Sequence, residues 1–71
     1  MTPTERELLQ GMCNCYAVCG EDFENTVRMV ANARRLTSES VKAMLNRISK
    51  QYEDDPEYRE LRQRLPSTFP I

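Results

Sequence analysis

Apolar residues recur at helical spacing through residues 23–52, and that spacing most constrains what this chain can become. Phe23, Val27, Val30 and Ala31 fall on one face of a first helix. Val41, Leu45, Ile48 and Tyr52 repeat the pattern on a second, at i, i+4, i+7 and i+11. Only a short turn at residues 35–37 separates them. Thr37 suits the N-cap of the second helix, where its hydroxyl accepts a free backbone N–H of the first turn. Leu36 just before it is placed to pack on Val41 as a hydrophobic staple. Two one-sided helices joined this tightly bury their stripes together as a helical hairpin.

The flanking segments are helical by the same signs. Thr2, Pro3 and Glu5 supply an N-cap, a first-turn proline and the acidic member of a capping box. This helix is expected to run to about Cys19 and to stop at Gly20, which tolerates the left-handed backbone. Leu8, Met12, Cys15 and Cys19 form one row along it, with Leu9, Cys13 and Tyr16 beside them. Gly11 inside it is the place where another helix could approach closely. Asp22 is expected to cap the helix that ends around Arg34, and the next runs from about Ser38 to Tyr52. Asp55 and Pro56 then open a fourth, with Tyr58, Leu61 and Leu65 as its stripe and Pro66 as its stop. No segment alternates as a strand does. The expectation is an all-α fold of four short helices with a central hairpin, over residues 1–66. Residues 67–71 form a tail whose Phe69, Pro70 and Ile71 either fold back on the core or reach a neighbouring chain.

A chain of 71 residues with 39% apolar content is near the lower limit for a self-sufficient core, so a homodimer is expected. No apolar run approaches the roughly 18 residues of a membrane span. The segment MTPTERELLQ is charged where a secretory signal would be apolar, and three cysteines suit a reducing compartment, so a cytoplasmic location is expected. Histidine is absent, which removes the commonest general base and metal ligand together. No glycine-rich loop offers a phosphate cradle. Three thiols fall short of the four ligands of a tetrahedral zinc, and Cys13 and Cys15 point about 160° apart on a helix at 100° per residue. Neither catalysis, a metal nor a cofactor is expected, and the thiols are read as small buried hydrophobes.

The net charge of −1 conceals a segregation. Residues 1–27 carry −4, residues 28–50 carry +5 and residues 51–71 carry −2. The cations Arg28, Arg34, Arg35, Lys42, Arg47 and Lys50 all lie on the hairpin. Within it, Ala31, Leu36, Val41 and Met44 stand where a small residue, a turn residue and two anchoring residues are needed. Over residues 26–46 this spacing resembles the helix-turn-helix DNA-binding module. It departs from that module at Arg35, where the turn commonly has glycine, so Arg35 would need a positive φ or another turn type. The resemblance implies a transcriptional regulator that places its second hairpin helix in the major groove of double-stranded DNA. Ser38, Glu39, Lys42, Ala43, Asn46, Arg47 and Lys50 would then face the groove, with Arg34 and Arg35 on phosphates. Arg47 is suited to a guanine edge and Asn46 to an adenine edge. The alternative is a protein-interaction module without DNA contact, an adaptor or inhibitor of phage- or plasmid-like size. Its basic face would meet a larger acidic partner, with Met29, Phe69 and Ile71 as apolar anchors. The two readings differ in where the acidic fourth helix packs, because beside the basic face it would repel DNA.

Overall fold

A computed structural model describes residues 1–70. Four helices follow in order: α1 (Pro3–Val18), α2 (Phe23–Arg34), α3 (Ser38–Gln51) and α4 (Pro56–Gln63). Among the described residues there is no strand. Every helix begins on a side-chain cap. Thr2 Oγ1 accepts from the Glu5 N–H at 3.2 Å, while Glu5 Oε1 accepts from the Thr2 N–H at 2.8 Å, completing the capping box. Asp22, Thr37 and Asp55 accept from Asn25, Ser40 and both Glu57 and Tyr58 respectively. Pro3 and Pro56 occupy first-turn positions where no N–H is needed.

Although the hairpin dominates the sequence pattern, the packing centre is α1, which lies against α2, α3 and α4. The molecule measures 28 × 22 × 16 Å. Leu8, Leu9, Met12 and Tyr16 of α1 meet Val27, Val30 and Ala31 of α2, and Val41, Leu45 and Ile48 of α3. Tyr58, Leu61 and Leu65 close the core from the α4 side. Gly11 faces Val30, whose methyls would lie 3.8 and 3.9 Å from an added Cβ. That is ordinary contact, so the glycine is not required for helix approach.

The tail folds back. Phe69 is only 4% exposed, stacked on Tyr16 at 5.1 Å between centroids and edge-on to Phe23 at 5.4 Å. Arg62 holds it there, with its guanidinium 5.5 Å from the ring centroid and hydrogen bonds to the Leu65, Pro66 and Phe69 carbonyls. Phe69 is therefore core and no exposed anchor, while Ile71 lies outside the described residues. The cysteines also depart in part from expectation. Cys13 and Cys15 are half-buried against the core, but Cys19 instead contacts Met29.

Two of the three interhelical turns use left-handed backbone. After α1, Gly20 has φ 68° and Glu21 φ 59°, with the Glu21 N–H bonded to the Tyr16 carbonyl at 2.8 Å. After α2, Arg35 adopts φ 57° and ψ 41°. Its N–H bonds to the Asn32 carbonyl and that of Leu36 to the Ala31 carbonyl, the paired closure of a Schellman motif. Arg35 thus takes the positive φ for which the turn would favour glycine. An L side chain there costs roughly 1–2 kcal/mol, partly offset by its smaller unfolded-state entropy relative to glycine. Arg35→Gly is expected to stabilise the fold by about 1 kcal/mol, read as a higher urea midpoint at unchanged m-value. A lower midpoint would show that the Arg35 side chain contributes more than its backbone strain costs.

Candidate nucleic-acid interface

With Val41, Leu45 and Ile48 buried, the geometry of α3 decides what the helix presents outward. Glu39, Ala43, Asn46 and Lys50 form its outward row and Arg47 flanks it, all five exposed. Ser38 and Lys42 are half-buried on the side toward α2. Met44 packs against the core, as an anchoring residue of the hairpin should. Leu36 is more open than Met44, with 39% of its surface exposed.

The hairpin cations separate into two groups. Lys42 Nζ lies 2.8 Å from Glu24 Oε2, joining α3 to the first turn of α2. The hydrogen bond it donates to the Glu24 carboxylate pushes the Lys42 ammonium above its ordinary pKa. Arg34 reaches back to Glu7 on α1 at 3.5 Å. These two side chains, assigned to DNA from the sequence, are engaged within the fold. Arg28, Arg35, Arg47 and Lys50 form no ion pair among the described residues. Arg28 was not in the sequence-derived set, because its position on α2 becomes part of the hairpin surface only once the register of the two helices is known. The fourth helix, with two glutamates balanced by two arginines, packs on α1, where Glu57 pairs with Arg6 at 2.8 Å, while Arg59 turns back to Asp54 in the acidic run before it.

At the C-terminal end of α3 a buried polar contact ties the hairpin to α1. Glu5 is 6% exposed, and its Oε1 accepts both the Thr2 N–H and the Tyr52 hydroxyl, each at 2.8 Å. The Thr2 N–H first, and then the Tyr52 hydroxyl, hold the Glu5 carboxyl below the usual range. The same bond to Glu5 raises the Tyr52 phenol. Arg47 is near enough to favour the charged form of both. The linkage has two signs. A lowered glutamate contributes stability above its unfolded value near 4.3, lost as pH falls through the folded value. A raised tyrosine contributes below about 10, lost as pH rises through the folded value. Tyr52→Phe is therefore expected to flatten the melting-temperature profile at both ends, below about pH 4.5 and above about pH 10. A variant profile parallel to the wild type at both ends would show that the Tyr52–Glu5 bond does not hold in solution.

Among the described residues no three cysteine, aspartate or glutamate side chains gather as a metal centre. No helix there is long and apolar enough to cross a membrane. In comparisons of the chain with known proteins, no family model matches, and neither a curated protein nor a solved structure matches.

Proposed function

We propose that the α2–α3 hairpin binds double-stranded DNA and that the protein is a small transcriptional regulator. The observation that carries this reading is the turn. Arg35 in left-handed conformation ends α2, and Thr37 caps α3 two residues later. This leaves Asn46, Arg47 and Lys50 exposed on the outward side of α3. A helix held down by buried Val41, Leu45 and Ile48 and free of ion pairs at Arg47 and Lys50 is suited to lie in a major groove. Arg28 and Arg35 add positive charge along the adjoining edge, suited to phosphate. In α4, Glu57 is paired with Arg6 of α1, and neither Glu57 nor Glu60 forms an ion pair with Arg47 or Lys50.

The test is a fluorescence-anisotropy titration against random duplex DNA, beginning near 50 mM salt. Lys50→Ala and Arg47→Ala are each expected to lower the slope of log K against log salt by about 0.9, the signature of one lost phosphate contact. Should Arg47 instead read a guanine, its alanine variant loses about 1–3 kcal/mol of preference at one base pair. Arg34→Ala and Lys42→Ala should change the slope less, because both cations are already paired. Absence of duplex binding by the folded wild type at low salt would end this reading.

One observation favours the second reading, a protein-interaction module. Val18 is 79% exposed and Met29 49% exposed. Met29 lines a groove with Arg28, and an exposed apolar side chain beside a cation would suit an acidic protein partner. The same titration separates the two, since the module without DNA contact shows no duplex affinity at any salt.

A further inference from the structure

The contact between Cys19 and Met29 lies outside the core, beside Arg28 at the α2 edge of the hairpin. The double left-handed turn at Gly20 and Glu21 brings the end of α1 against the outer side of α2. There Cys19 Sγ stands 3.3 Å from Met29 Sδ, with the thiol as donor. Met29 is half-exposed, and the two sulfurs line an open groove with Asn25, Arg28 and Asn32. The buried apolar cluster includes Met12 and is packed by Met1, Met44, Cys13 and Cys15, but by neither of these two. Two soft donors, one from the C-cap of α1 and one from α2, thus meet at a solvent-accessible place where packing does not require them.

We propose that Cys19 and Met29 form a two-sulfur site for a soft monovalent cation of the copper(I) class. Thiolate and thioether together select such ions over hard cations. On binding, the Cys19 thiol loses its proton to solvent and its sulfur bonds the metal. Met29 Sδ donates a lone pair, and no electron is transferred. With metal–sulfur bonds of about 2.3 Å, as for zinc thiolates, a near-linear two-coordinate ion needs the sulfurs about 4.6 Å apart, so the 3.3 Å contact must open by about 1.3 Å on binding. The three rotatable bonds of methionine let it open toward linear. Charge favours a monovalent ion. One thiolate with one monovalent cation is neutral, whereas a divalent ion would leave a positive charge in the groove that Arg28 also lines. Tetrahedral zinc would need four ligands, and this groove supplies two.

Silver(I) is the redox-stable probe for this site. In the full chain labelled at its methionine methyls, one equivalent of silver(I) is expected to shift the Met29 resonance and leave those of Met1, Met12 and Met44 in place. Calorimetry on Cys13→Ser/Cys15→Ser, with helical content checked by circular dichroism, isolates the Cys19 thiol. That protein is expected to bind one silver(I), and adding Met29→Leu should weaken binding at least tenfold. A tenfold preference for silver(I) over zinc(II) completes the expectation. An unmoved Met29 methyl, or an affinity unchanged by Met29→Leu, would reduce the contact to a thiol that binds silver alone and would overturn the site. The methyl measurement uses the unmutated chain, so it decides even where a variant fails to fold.

Discussion

Ile48→Ala is expected to remove about 2–5 kcal/mol of stability, as buried aliphatic truncations do. Ile48 and its neighbour Leu45 are 0% and 2% exposed, and both lie where α3 turns inward toward α1. A domain of this length commonly holds about 4–10 kcal/mol in all, at 0.05–0.15 kcal/mol per residue. The truncation therefore takes a large share of the total and brings the chain near its unfolding point at 25 °C. The cost has two parts: lost transfer free energy, and a cavity that the rest of the core fills only in part. Leu45→Ala should behave alike. Urea titration followed by circular dichroism reads the effect directly. A wild-type midpoint for both variants would mean that the buried face of α3 is not the one described.

Phe69→Ala is the second large effect, expected at about 3–5 kcal/mol. The ring touches Tyr16, Phe23 and the Arg62 guanidinium, so its loss uncovers two other aromatic side chains as well as leaving a hole. The three carbonyl bonds of Arg62 would then restrain a segment with no apolar reason to stay. Deleting residues 67–71 is expected to reproduce the substitution within about 1 kcal/mol, because Phe69 is the buried member among the segment's described residues. Phe69→Leu should restore about half of the loss by refilling volume without the stacking geometry. If the truncated chain melted with the wild type, the tail would be an appendage rather than part of the core.

What could be read in the sequence was what depends on near neighbours. Thr2, Asp22, Thr37 and Asp55 cap helices through bonds spanning two or three residues, so spacing alone reveals them. The inward rows of α2, α3 and α4 are periodic and were equally legible. Glu5 was not, beyond its capping role. Beside the local Thr2 N–H, its buried carboxylate is satisfied by the Tyr52 hydroxyl, which comes to it from the far end of α3. Thr26, fully buried, escaped for a similar reason: its hydroxyl bonds the Asp22 carbonyl, which lets a polar side chain sit within an apolar stripe. In the candidate interface, Arg34 and Lys42 looked as free as Arg47 and Lys50. Their carboxylate partners, Glu7 and Glu24, belong to other helices, and no local pattern encodes which long side chains will meet.

The four helix caps have a kinetic consequence. Each fixes the start of its helix using residues within one turn, so the boundaries can form before any distant part of the chain arrives. Loop-closure entropy is then met chiefly when α1 gathers the other helices and Phe69 closes over Tyr16. Chains dominated by such local order fold in microseconds to milliseconds.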